Sequence, residues 1–262
     1  MTQKKYLIIG CGLIGGSIAR KLRVIDQDCI IDYFDDNHIT AGFLTKHDYR
    51  DKQIYDVVFM TSRNAFNSAK YYIEYNVLIN LLSFQEMLIK QNAHTQIGVH
   101  FMAGSEKSGF ENSSATLFDG CNFSVIQYES DEKHKEILSE IELLIKQIAN
   151  SNEPILSVSP EEHNVNVAYT SHLLHFLALK VPQFSELPCL KRISQSNKTM
   201  WEEIFKKNEK NIMYSLGEFI KSNVFYNEDK YFKLTIKDVC GGIRKNFKGT
   251  AYYEVVGKLD KN

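Results

Sequence analysis

Short apolar runs recur along the first 158 residues, each about as long as a strand and each followed by polar or amphipathic chain. Tyr6–Ile9, Cys29–Phe34, Asp56–Thr61, Val77–Leu82, Thr95–Phe101, Cys121–Tyr128 and Glu153–Val158 have this character. Several are apolar without alternation, the pattern of strands buried on both faces of a parallel sheet. Helix-like stretches lie between them. One follows the first strand and runs through Leu22, and Asn64–Tyr75 is a second. Ser83-Phe-Gln-Glu86 has the spacing of a capping box and predicts a third. Asp131–Asn150 is the fourth, with Ile137, Leu138, Ile141, Leu144, Ile145 and Ile148 on one face. Residues 36–55 are too short and polar for a full crossover helix. Repeated strand–helix alternation predicts an α/β unit built on a doubly wound parallel sheet.

The texture changes at Ser159. Ser159-Pro-Glu-Glu162 supplies an N-cap, a proline at the first helical position and an acid at the third. The helix it opens is expected to pass Asn164, Tyr169 and Ser171-His-Leu-Leu-His175 towards Leu179. A second long helix is expected from about Thr199, with Trp201, Ile204, Phe205, Ile212, Leu216, Phe219 and Ile220 roughly on one face. The division is therefore an α/β domain over residues 1–158 and an all-α domain over 159–262. The helical part is too small for a rich core of its own, which suggests packing between subunits.

Composition narrows the function classes. A net charge of −1 gives no broad basic field for nucleic acid or an anionic membrane. No apolar run approaches the ~20 residues of a membrane-spanning helix, and the N-terminus enters a strand without a signal-peptide core. The 5 cysteines are scattered and form no C-x-x-C pair, as expected of reduced thiols in the cytoplasm.

The first strand runs into Gly10-Cys-Gly12-Leu13-Ile14-Gly15, a G-x-G-x-x-G between strand and helix. Gly10 serves the tight turn, Gly12 the approach of a pyrophosphate and Gly15 the close packing of the helix, with Leu13 and Ile14 opening that helix. The second strand ends at Asp35, which follows Gly15 by 20 residues. A carboxylate there accepts the ribose hydroxyls and repels a 2′-phosphate, favouring NAD over NADP. Asp32 and Asp36 compete for the role; Asp35 is preferred because it directly follows the apolar run.

The other stretch with chemical content is Gly98-Val-His-Phe-Met-Ala-Gly-Ser-Glu-Lys-Ser-Gly109. His100 closes a strand there and is a candidate acid–base group, although a histidine in that position is often simply packed and hydrogen-bonded. His172 and His175 lie on neighbouring parts of one helix face. With His163 they raise a metal site, but no carboxylate or cysteine spacing supports one. The pattern fits better with one histidine contacting substrate and the other in a packing network. Arg192 is a surface arginine by default and a bidentate carboxylate clamp if placed in a site.

Taken together, six segments resemble the prephenate/arogenate dehydrogenase family: Gly10-Cys-Gly-Leu-Ile-Gly-Gly-Ser17, His100–Gly109, Leu117-Phe-Asp-Gly120, Ser159-Pro-Glu-Glu-His163, Ser171-His-Leu-Leu-His175, and Arg192-Ile-Ser-Gln-Ser196 with Met200-Trp-Glu-Glu-Ile204. Phe101 and Leu174 stand where that family carries proline. The resemblance implies an N-terminal Rossmann-type domain, a helical dimerisation domain, and NAD-dependent oxidative decarboxylation of a cyclohexadienyl carboxylate. His100 would accept the C4-hydroxyl proton while hydride passes to NAD, with Ser83 orienting it. Arg192 would hold the ring carboxylate, and His175, Ser171 and Ser105 would contact the rest of the substrate. Prephenate is the expected substrate. Arogenate, 4-amino-4-deoxyprephenate, or a catalytically weakened NAD-binding regulatory dimer are the alternatives.

Overall fold

The computed structural model describes residues 3–35, 54–89, 95–105, 107–128, 132–152, 156–180, 193–222, 233–234 and 255–256. The chain divides into two compact units, Met1–His163 and Asn164–Asn262.

The first unit is a seven-stranded sheet of β1 (Lys5–Ile9), β2 (Ile30–Phe34), β3 (Ile54–Met60), β4 (Glu74–Asn80), β5 (Thr95–Phe101), β6 (Phe123–Gln127) and β7 (Leu156–Val158), in the order β2-β1-β3-β4-β5-β6-β7. Helices α1 (Leu13–Ile25) and α3 (Glu132–Ala149) cover one face, and α2 (Arg63–Ala69) covers the other. Alternate strand residues divide between the faces. Ile8, Phe59, Ile79, Val99 and Val125 pack with Ile18 and Leu22 of α1 and Ile141 and Ile145 of α3. Leu7, Ile9, Val58 and Leu78 pack with Ala65, Phe66 and Ala69 of α2. Burial on both sides explains why these strands read as unbroken apolar runs. This is the doubly wound Rossmann-type sheet expected. Because β1 is followed by β2 on one side and β3 on the other, the turn after β1 lies at a topological switch point, where such sheets bind ligands.

Three local expectations are revised. The first five strands run parallel, but β6 is antiparallel to β5, with His100 opposite Ser124, and β7 follows β6 in parallel. No crossover helix lies between β5 and β6 among the described residues, so the chain returns along the same edge. The helix expected from Ser83 is also absent among the described residues 83–89. Buried Gln85 instead turns inward, its Nε2 donating to the carbonyls of Leu82 and Asn80. Finally, α2 is shorter than the apolar pattern implied. Ser62 caps it by accepting from the Ala65 amide, and β4 already starts at Glu74.

In the second unit, the helix begun by α4 (Pro160–Val167) continues through a π turn at Ala168–His172 into α5 (Leu173–Lys180). The expected second long helix is two, α6 (Lys198–Lys207) and α7 (Glu209–Ser222), separated at Asn208. Trp201, Phe205, Ile212 and Leu216 close a small core with Ala168, Leu173 and Phe176. The expectations for residues 181–192 lie outside the described residues, Arg192 among them.

Candidate active site

The turn after β1 has the stereochemistry its glycines suggest. Gly10 adopts φ +90 and donates its amide to the Phe34 carbonyl at 2.8 Å, while Thr61 Oγ1 donates to the Gly10 carbonyl at 2.7 Å. A Cβ on Gly15 would lie 1.9 Å from the Gly10 oxygen, so only glycine lets α1 approach the turn this closely. A Cβ on Gly12 would meet nothing within 4 Å. Packing therefore does not explain Gly12; clear space in front of a helix N-terminus does. The start of α1 has no side-chain cap and no acid in its first turn. Its leading amides, from Leu13 onwards, lack intrahelical acceptors and present partial positive charge.

Of the competing acids, Asp32 is buried at 5% exposure and accepts a hydrogen bond from Tyr55 Oη at 2.8 Å, a structural pairing. Asp35 is half-buried beyond the end of β2, and its Oδ2 accepts from the Cys11 amide within the glycine turn. It is thus fixed beside the turn. Asp36 lies outside the described residues. Burial, followed by the charge of Asp35, pushes the Cys11 thiol up to about 12, so it stays protonated at physiological pH. Clear space, an open helix N-terminus and a fixed carboxylate together fit a dinucleotide with a free ribose diol.

His100 closes β5, on the same carboxyl edge of the sheet. It lies three strands from β1, about 14 Å at ~4.8 Å per strand, within reach of an extended dinucleotide. The ring is half-buried, and its Nδ1 lies 2.8 Å from Nε2 of His163. The rings meet edge-on at 60°. Burial, and secondarily the neighbouring His163, push the His100 pKa down from 6.5 to about 3, so the ring is neutral at physiological pH. His163, raised above only as a metal ligand, is 2% exposed. Its motif was visible in the sequence, but its proximity was not: β7 and the α4 cap carry it across two strands. Among the described residues, the hydrogen bond made by His100 is to His163 and not to Ser83. Asn80 pairs in register with Gly98, so the Leu82-Ser83 segment leaves β4 beside the end of β5.

A buried polar latch holds that segment. Tyr128 Oη donates to Gln85 Oε1 at 2.7 Å and accepts from Asn80 Nδ2 at 3.2 Å, and Asn80 Oδ1 accepts from the Leu82 amide. Burial pushes the Tyr128 hydroxyl up to about 12, keeping it a donor. A Cβ on Gly98 would lie 2.5 Å from Gln85 Oε1, so glycine makes room for the latch within β5. Neither Gln85 nor Tyr128 was legible as a site residue in the sequence.

The chain after His100 is fastened to the dinucleotide helix. Ser17 Oγ accepts from the Ser114 amide at 3.0 Å, Arg20 Nε donates to Ser113 Oγ at 2.8 Å, and Lys21 pairs with Asp119 at 2.6 Å. Phe110 lies beneath the Arg20 guanidinium, 4.8 Å from ring centroid to Cζ, against Gly16. Phe101, in the family's proline position, packs against buried Phe118 with centroids 4.5 Å apart and the rings tilted by 34°. Ser105 is exposed between these anchors and accepts from the Lys107 amide.

Within the second unit, the π turn presents Ser171 and His172. The Ser171 carbonyl lies 3.0 Å from His175 Nδ1 and can only accept, so His175 carries a proton there. His175 stacks on Trp201 at 3.6 Å and 16°, and is half-buried. His172 is 1% exposed, with Nδ1 3.0 Å from Asn208 Nδ2; that amide nitrogen also donates to the Asn164 carbonyl. His172 therefore accepts at Nδ1 in a buried network across the α6–α7 break, whereas His175 remains the reachable member of the pair.

A glycine turn at the switch point of a doubly wound sheet, with a neutral histidine on the same edge, is the arrangement of a Rossmann-type dinucleotide-binding fold. No family model matches the chain. Prephenate dehydrogenase of Bacillus subtilis (strain 168) is 27% identical over 311 aligned positions, covering 97% of this chain and 81% of the relative. Prephenate dehydrogenase from A. aeolicus, solved in complex with hydroxyphenyl propionate and NAD+, superposes with a TM-score of 0.67 at 23% identity, covering 85% of this chain and 88% of that one. Synechocystis arogenate dehydrogenase gives 0.64 at 16% identity, covering 83% and 88%. The chain is thus similar in sequence to a curated prephenate dehydrogenase and shares its fold with solved prephenate and arogenate dehydrogenases.

Proposed function

We propose that this chain catalyses the NAD-dependent oxidative decarboxylation of prephenate to 4-hydroxyphenylpyruvate, a step of tyrosine biosynthesis. The observation that carries the reading is His100 itself: a neutral imidazole on the ligand-binding edge, with no hydrogen bond to Nε2 among the described residues. The Gly10–Gly15 turn, the leading amides of Leu13 and Ile14, and Asp35 hold the cofactor. Bound there, NAD supplies the hydride acceptor that oxidation at ring C4 requires. His100 takes the proton of the C4 hydroxyl through Nε2. The ring carboxylate leaves as CO2, its bonding electrons completing the aromatic ring, which drives the reaction forward, and the proton held by His100 returns to the phenolate oxygen to give the product hydroxyl.

Arg192 holds that carboxylate as a charged fork. His175 and Ser171, with Ser105 of the loop after His100, contact the remainder of the substrate. Ser83, leaving β4 beside β5, serves His100 and the nicotinamide side of the site. A hydroxyl at C4 suits a general base better than an amine does, which favours prephenate over the 4-amino analogue. The free thiols of Cys11, Cys29 and Cys121 fit a cytoplasmic protein. Exposed Leu174, Met200 and Tyr214 on the second unit's helices support a homodimer formed there, testable by light scattering.

The test is reduction of NAD, followed by absorbance, with prephenate, arogenate and 4-amino-4-deoxyprephenate supplied separately to the purified protein. Preferred turnover of prephenate is expected. Preference for either amino compound would reassign the substrate, and no reduction with any of the three would leave a binding protein.

A further inference from the structure

The contact between His100 and His163 has a consequence beyond holding a ring in place. A neutral imidazole carries one proton on one of two nitrogens, and only the bare nitrogen can act as a base. We propose that His163 is a positioning residue that fixes His100 as the tautomer protonated on Nδ1, leaving the Nε2 lone pair for the substrate hydroxyl.

Two nitrogens 2.8 Å apart share one hydrogen, so one ring donates and the other accepts. If His163 donated, His100 would carry its proton on Nε2 and face the site as a donor, unable to accept a hydroxyl proton. If His100 donates from Nδ1, its Nε2 is bare and His163 carries its own proton on Nδ1. The second arrangement is the one compatible with a base at this position; in this respect the inference rests on the proposed function. Two adjacent imidazoles also disfavour charge on either, consistent with the depressed His100 pKa.

The framework holds His163 against His100. Residue 163 is in the first turn of α4, whose start is pinned by Ser159: its Oγ accepts from the Glu162 amide at 3.1 Å and its carbonyl from the His163 amide at 2.9 Å. Ser159 directly follows β7, β7 pairs with β6 at Ile126–Val158, and β6 pairs with β5 at His100–Ser124. A continuous register therefore runs from one histidine to the other. His163 is also buried, so solvent does not compete for its Nε2.

The experiment reads the tautomer without substrate. Long-range proton–nitrogen spectra of ligand-free protein labelled with 15N-histidine distinguish a protonated ring nitrogen from a bare one, with His100→Asn assigning the signal among the 8 histidines. Protonated Nδ1 and bare Nε2 are expected at His100. In His163→Leu the Nδ1 proton should be lost or averaged with Nε2. In His163→Gln, whose side-chain oxygen can accept, it should be retained. In turnover, His163→Leu should lower kcat by roughly 10²-fold with KM within about twofold, and His163→Gln should recover most of it. A His100 protonated on Nε2 in the unsubstituted protein would overturn the proposal, as would His163→Leu turning over at the full rate. A correct tautomer in a protein that oxidises none of the three substrates would instead refute the proposed reaction and leave the pairing standing.

Discussion

Two glycines of one turn should fail in opposite ways. In Gly15→Ala the new methyl would lie 1.9 Å from the Gly10 carbonyl oxygen, over 1 Å inside any tolerable contact, and that oxygen is backbone and cannot swing aside as a side chain would. Relief requires α1 to move away from β1. Overpacking of this kind costs about 1–3 kcal/mol, which lowers Tm by roughly 2–12 °C at ~2–4 °C per kcal/mol. In Gly12→Ala the methyl meets nothing within 4 Å, and the backbone, at φ −76 and ψ −154, is open to alanine. Stability should change by no more than about 1 kcal/mol, the cost of a poorer N-cap. The methyl would, however, occupy the space assigned to the pyrophosphate, and NAD affinity should fall by roughly tenfold or more. Thermal melts with and without NAD, together with calorimetric titration, separate the two. Unchanged NAD affinity in Gly12→Ala would show that the phosphates do not approach this turn. A Gly15→Ala protein melting like its parent would refute the packing argument.

Further outcomes follow from other contacts. Asp35→Ala should cost NAD on the order of tenfold through lost charged hydrogen bonds, while NADP, freed from repulsion, gains relative to it; competitive titration of the two cofactors reads the change. Since the folded-state pKa of His100 is depressed from 6.5 to about 3, the unfolded chain binds a proton in that interval that the folded chain refuses. This contribution is fully present above pH 6.5 and is lost as pH falls below it, by up to ~1.4 kcal/mol per pH unit. His100→Asn should flatten that slope in denaturant melts taken between pH 7 and 4. Tyr128→Phe removes the donor to Gln85 Oε1 and the acceptor for Asn80 Nδ2, and should cost about 1–3 kcal/mol of stability by urea titration.

The fold was legible where one physical requirement dominates. Strands buried on both faces must be apolar throughout, and β5 falls at Thr95–Phe101 as the sequence predicts. The glycine turn was equally legible, because backbone approach and helix packing admit no other residue at Gly10 and Gly15. The expected helix after Ser83 failed because a capping-box spacing is local, whereas the Asn80–Gln85–Tyr128 latch joins residues 43 and 48 positions apart and answers to burial. His163 shows the same limit. Its pairing with a histidine 63 residues earlier depends on β6 reversing direction, which local periodicity does not encode. Asn208 read as one more polar residue in a helix, yet it stands at the break between α6 and α7 with its side-chain amide bonded to Asn164 and His172.

The role proposed for His100 as the base is tested by single-turnover oxidation of prephenate by His100→Asn beside the unsubstituted protein, with NAD affinity measured on both. Loss of a general base predicts a fall in rate of roughly 10²–10⁴ with NAD binding retained. An unchanged rate would remove His100 from the chemistry and contradict the account.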